Sequence, residues 1–200
     1  MNDVVLHSYR RCPFAIRVRM TLEEKSIAYR VIEEDLSVPS AELLRLHPEG
    51  KVPLLIHRGH AIYESAVITE YLEETFPTPS LMPKTPLMRA ELRLWTFWCN
   101  EIFKPDLDAF KYGLEKLNES EKAALQQRMR EHLDKMKSPL TAHAFLLGDE
   151  LTLADIHLFP FYRQLQRAKP EYSELSRYPQ LNDWLARITA RPSFDRVMAK

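Results

Sequence analysis

The chain has 200 residues, 45% of them apolar and only four of them glycine, enough to bury one large core or two small ones in a mainly helical protein. Its 28 basic and 28 acidic residues balance, which argues against a nucleic acid or an anionic membrane as partner. Asp3 and the early Arg10 and Arg11 fit neither a signal peptide nor a membrane span, and Cys12 and Cys99 lie too far apart to suggest a disulfide framework, so a reducing, cytoplasmic setting is expected.

In chain order, residues 3–8 carry Val4, Val5 and Leu6 and predict a short buried strand. Pro13 then opens a helix in which Ile16, Met20 and Ile27 recur among Arg17, Arg19, Glu23, Glu24 and Lys25. Residues 29–34 predict a second strand, 41–46 a short helix, 53–57 a third strand, and 60–63 a fourth, with Arg58-Gly59 turning the last two into a hairpin. Ser65 starts a helix whose apolar stripe of Val67, Ile68, Tyr71, Leu72 and Phe76 stops at Pro77. Four prolines at 77, 79, 83 and 86 predict a stiff linker. Beyond it the pattern is helical: residues 87–117 with a bend or break at Pro105, then Leu125, Met129, Leu133 and Met136 at helical spacing. Thr152 and Asp155 predict a capping box that starts a helix with a kink at Pro160, and residues 179–190 and 193–199 predict two more.

The chemistry concentrates at Cys12. Proline is favoured at the first helical position, so Pro13 makes Cys12 the N-cap and places its sulfur at the positive end of the helix dipole. With Arg10 and Arg11 alongside, a lowered thiol pKa is expected; the competing reading is a small buried hydrophobe.

Four segments resemble cytosolic glutathione transferases of the cysteine type, nearer the omega-like and dehydroascorbate-reducing branches than the aryl-halide conjugators: Arg11-Cys12-Pro13-Phe14-Ala15, Gly50-Lys51-Val52-Pro53-Leu54-Leu55, Glu64-Ser65-Ala66-Val67-Ile68, and Gly148 through Asp155. The resemblance implies a thioredoxin-like α/β domain over 1–77, a proline-rich linker over 78–86 and an all-helical domain over 87–200. It also implies glutathione as cosubstrate and a homodimer. In such proteins the residues aligned with Val52-Pro53 form a cis-proline turn that pairs with the cysteinyl unit of glutathione, while a Glu64-Ser65 pair suits the ammonium and carboxylate of its γ-glutamyl end. Lys51 is a candidate for the glycyl carboxylate or a solvated lysine. Phe14 lines the thiol edge or the core, and Trp95, Trp98 and Phe103 either wall an electrophile pocket or fill the helical core.

Ala15 stands where dithiol relatives carry a second cysteine, so a disulfide at Cys12 has to be resolved by a second thiol molecule. Ser8 and Tyr9 are the rival hydroxyls, but Cys12 holds the helix-start position. His57 and His60 lack the further ligands a metal needs, so no metal is expected, and the Asn118-Glu119-Ser120 sequon carries little weight in a cytoplasmic protein. The expected function is glutathione-dependent thiol transfer or reduction of a small electrophilic or disulfide substrate through a Cys12–glutathione mixed disulfide. The alternatives are a non-catalytic interaction protein resembling the stringent starvation protein, and a conjugating or isomerising transferase.

Overall fold

The computed structural model describes residues 3–168 and 175–199. Met1–Leu81 with Arg191–Lys200 form one compact unit, and Met82–Ala190 form the other.

In the first unit, strands β1 (Val4–Ser8), β2 (Arg30–Glu33), β3 (Leu54–His57) and β4 (His60–Tyr63) build a sheet in the order β2-β1-β3-β4. β1 runs parallel to β2, with Leu6 opposite Val31, and antiparallel to β3, with Leu6 opposite Leu55. The parallel pair needs a crossover, which helix α1 (Pro13–Glu24) supplies. β1 is an inner strand, between β2 and β3, with both faces covered, so it reads as an apolar run with little alternation. Val4, Leu6, Val18, Leu22, Ile27, Leu55, Ile68 and Leu72 join β1, β3, α1 and α3 (Ser65–Thr75) in one core.

The short helix α2 (Ala41–Leu46) is fixed by a buried polar network. Its N-cap Ser40 accepts from the Leu43 N–H at 3.2 Å and donates both its hydroxyl and its N–H to Glu34, which also bonds the His7 ring at 2.6 Å. Lys25, also buried, donates to Glu73 and to the Pro79 carbonyl, both at 2.6 Å, tying the end of α1 to α3 and to the segment that leaves the unit.

The closing helix α9 (Pro192–Met198) packs on α1 and belongs to the first unit, whereas the sequence places residues 191–200 in the helical domain. Ion pairs explain the difference. Arg191 grips the Glu24 carboxylate with Nε and Nη2 at 2.7 Å each, Ser193 adds a hydroxyl to Glu24, and Arg196 pairs with Glu23 at 2.5 Å. Burial alone would push the Glu24 carboxyl up, but the Arg191 fork and the Ser193 hydroxyl hold it below the usual carboxylate range. A carboxyl lowered on folding stabilises the fold above its unfolded pKa of 4.5 and loses that contribution as pH falls through the folded value. Protection of the amides of residues 192–198, taken against the intrinsic exchange rate at each pH, is therefore expected to be high at neutral pH and to fall below about pH 4.5, ahead of that in β1.

In the second unit, α4 (Pro86–Trp98), α5 (Lys104–Asp108), α6 (Glu119–Leu140), α7 (Leu153–Arg167) and α8 (Pro179–Thr189) pack as a helical domain. Two π-helical turns, Cys99–Phe103 and Ala109–Gly113, flank α5. The chain thus stays helical through Pro105 where the sequence predicts a bend or break: the wide turn ahead of the proline accommodates its ring and its missing N–H. α7 likewise continues through Pro160. Asn118 caps α6, accepting from the Glu121 N–H at 2.9 Å while Glu121 reaches back to the Asn118 N–H, so the sequon asparagine starts a helix. Asp155, fully buried, accepts from the Thr152 N–H and hydroxyl at 3.0 Å and from the Leu146 N–H and Trp184 Nε1 at 2.9 Å.

Candidate functional site

Cys12 is the N-cap of α1 and Pro13 its first residue, as their order in the sequence predicts. The turn before the helix closes through the Cys12 N–H donating to the Tyr9 carbonyl at 2.9 Å. The sulfur is half-buried and points at the Val52 carbonyl, 3.9 Å away. Its electrostatics differ from the expectation. Burial pushes the Cys12 thiol above its ordinary range, against the Ala15 and Phe14 N–H groups and the charges of Arg19 and Arg17, which favour the thiolate. The opposing cations are thus the buried Arg19 and Arg17, while Arg10 donates to the Met198 carbonyl and Arg11 to the Tyr9 hydroxyl. Tyr9 is occupied by that contact, and Ser8 is fully buried in β1.

The Val52–Pro53 peptide bond is cis, and Val52 lies ahead of β3, beyond the paired register of the β1–β3 ladder. Gly50 makes the approach possible: its φ of +59° suits glycine, and a Cβ there would meet Leu44 Cδ2 at 2.7 Å. Lys51 extends to the surface and pairs with Glu49 at 2.7 Å, both well exposed.

At the start of α3, Glu64 is exposed with φ 66° and ψ 114°, a conformation that costs a non-glycine residue about 1–3 kcal/mol and clusters at ligand sites. Ser65 is buried behind it, its hydroxyl accepting from Arg17 Nη1 at 3.2 Å. That guanidinium also lies over the Phe14 ring at 5.0 Å. Arg17 thus links Phe14 and Ser65, a role that sequence reading missed. Its position five residues after Cys12 carries no signal by itself, because charged residues at that spacing usually face water.

The aromatic candidates of the second unit divide. Trp98 and Phe103 are core: their rings stack 5.3 Å apart and both meet His132 edge-on. His132 donates to Asp106 at 2.9 Å, and Arg128 grips the same carboxylate, so this cluster joins α5 to α6. Trp95 is half-buried beneath the Lys135 ammonium, 4.7 Å from its ring centroid. Cys99 is buried with its thiol toward the His157 carbonyl, 3.8 Å away. His57 donates or accepts at the Tyr71 hydroxyl at 2.7 Å, and no group of three or more metal-ligating side chains occurs among the described residues.

Residues 6–80 match the glutathione S-transferase N-terminal domain family and residues 85–192 its C-terminal domain family. The chain belongs to the glutathione S-transferases. A probable glutathione S-transferase of Nicotiana tabacum is 37% identical over 157 residues, 78% of this chain and 68% of its own. A stringent starvation protein A homolog of Pasteurella multocida is 30% identical over 178 residues, covering 89% and 82%. The crystal structure of glutathione transferase Omega 3C of Trametes versicolor superimposes with a TM-score of 0.80 at 28% identity, covering 99% of this chain and 85% of that one. Membership makes the first unit a thioredoxin-like domain and the second the helical domain of that fold, and it supports glutathione as ligand. Among the described residues no helix is long and apolar enough to cross a membrane.

Proposed function

We propose that this glutathione S-transferase is a cytoplasmic thiol transferase or reductase, of the dehydroascorbate-reductase-like kind, whose nucleophile is Cys12. The reading is carried by one juxtaposition: a thiol at a helix N-terminus, 3.9 Å from the carbonyl of a residue that leads into a cis-proline. Val52 offers its N–H and C=O to an extended peptide as an added strand would, and the cysteinyl unit of glutathione is such a segment. Glutathione displaces the Cys12–Val52 contact and lies with its sulfur beside Cys12. Glu64 and the start of α3 at Ser65 receive the γ-glutamyl ammonium and carboxylate. Lys51 swings from Glu49 to the glycyl carboxylate. Phe14 shields the thiol edge.

In the reaction, Cys12 thiolate attacks the glutathionyl sulfur of a mixed disulfide R–S–SG. The S–S bond breaks, R–S⁻ leaves and takes up a proton, and Cys12–S–SG forms. A second glutathione thiolate attacks the glutathionyl sulfur of that adduct, releasing oxidised glutathione and the Cys12 thiolate. Ala15 leaves no neighbouring thiol to intervene. Incubation with oxidised glutathione is expected to place one glutathione on the tryptic peptide 12–17 and none on the peptide containing Cys99, read by mass spectrometry. An unmodified Cys12 overturns the mechanism.

The likeness to the Pasteurella multocida stringent starvation protein A homolog supports a second reading, a non-catalytic interaction protein on the same fold. Calorimetry separates the two, because that reading requires no heat of glutathione binding.

Within the helical unit, Leu87, Leu94 and Phe97 leave an apolar stripe exposed along α4, a surface suited to the family's homodimer. Sedimentation is expected to show a dimer, and Phe97→Glu to raise its dissociation constant at least about tenfold.

A further inference from the structure

Arg19 is only 5% exposed, yet its Nε has no hydrogen-bond partner among the described residues. A buried donor left without an acceptor is costly, so a role beyond packing is indicated. Arg19 lies seven residues after Cys12, two turns along α1, so the two share a helix face, and helical side chains lean toward the N-terminus. Its Nη2 donates to the Arg10 carbonyl. That carbonyl sits inside the turn closed by Cys12 and Tyr9, and the Arg10 N–H is held in turn by Glu33 Oε1 at 2.7 Å. The charged and titratable groups acting on Arg19 are Tyr29, just ahead of β2, Glu33 in β2, and Cys12 and Arg10 in the turn. Those acting on Cys12 are Arg19 and Arg17.

We propose that Arg19 is a positioning residue for Cys12: its guanidinium braces the turn through the Arg10 carbonyl, and its uncommitted Nε–H brings a buried positive charge to the thiolate. The inference rests on Cys12 being the reactive group, and it needs no glutathione. It separates two functions on one helix, with Arg17 given to Ser65 at the start of α3 and Arg19 to the sulfur.

The test is the pH profile of iodoacetamide labelling of Cys12, read on peptide 12–17 without glutathione, for the wild type, Arg19→Gln and Arg19→Lys. Loss of a neighbouring charge of opposite sign moves a pKa by about one unit or more, so Arg19→Gln is expected to label about tenfold more slowly on the acid side of its midpoint. Arg19→Lys, which keeps the charge, is expected to recover at least half of that shift. An unmoved midpoint in Arg19→Gln, or equal shifts in both variants, overturns the proposal. Should Arg19→Gln fail to fold, the wild-type Arg19 Nε–H resonance, assigned by its loss in Arg19→Lys, carries the test. It is expected to titrate with the midpoint of Cys12 labelling, and a resonance unaffected by Cys12 ionisation overturns the proposal. A protein that labels in this way but forms no glutathione adduct would sink the thiol-transfer reading and leave the role of Arg19 standing.

Discussion

Cys12→Ser is expected to lower glutathione-dependent reduction of a mixed disulfide by at least about 10³-fold, with the melting temperature little changed. A serine hydroxyl cannot form the mixed disulfide, so the whole covalent route is lost rather than slowed. The residue is half-buried, and its contact to the Val52 carbonyl is long and weak, so folding loses little. Glutathione affinity is expected to hold within a few fold if, as proposed, Val52 and the start of α3 rather than the sulfur grip the tripeptide. Coupled turnover together with calorimetry checks both halves. Turnover that survives in Cys12→Ser would move the chemistry to another group. Because burial raises this thiol, turnover of the wild type is also expected to climb with pH through the neutral range, as the thiolate fraction grows.

Asp155→Ala is expected to cost about 3–5 kcal/mol of stability, read as a lower midpoint of urea unfolding. The carboxylate accepts four hydrogen bonds, and its loss strands the Leu146 and Thr152 N–H groups and the Trp184 indole N–H in a fully buried place. Burial pushes this carboxyl up, and the four donors work against that. Asp155→Asn, which keeps the shape and some acceptor capacity, is expected to lose less. A loss in Asp155→Ala below about 1 kcal/mol would mean that water replaces the carboxylate. The residue starts α7 and ties it to the segment at Leu146 and to α8, so its effect falls on the helical unit and leaves the thiol chemistry of folded molecules unchanged.

The local pattern made most elements legible. Cys12-Pro13, Arg58-Gly59, Ser65 and Pro86 each mark a boundary that the structure keeps to within a residue, because caps and turns are decided by a few neighbours. The Cys12 environment was less legible. Arg17 and Arg19 read as the solvent face of an amphipathic helix, yet Ala15 through Leu22 are all buried, since α1 is covered by the sheet, α3 and α9 at once. A helix covered on several sides carries its charges inward only where carbonyls, hydroxyls or rings meet them, and those partners come from distant stretches of chain. The same limit hid the place of α9. Periodicity shows that residues 192–198 form a helix, but the pairing of Glu23 and Glu24 with Arg196 and Arg191 is a fact of three dimensions. Trp98 and Phe103 illustrate it again, for an aromatic at helical spacing looks the same whether it walls a pocket or fills a core.

The return of α9 to the first unit gives that unit a discontinuous origin. Its sheet and α1 are synthesised before all of Met82–Ala190, and the segment that neutralises Glu23 and Glu24 only after it. The first unit therefore cannot complete its packing until the whole helical unit has been synthesised and residues 191–198 have followed it. A nick or premature stop ahead of Arg191 would leave both carboxylates without their cations, and the Arg10 side chain without the Met198 carbonyl, directly behind the turn that carries Cys12.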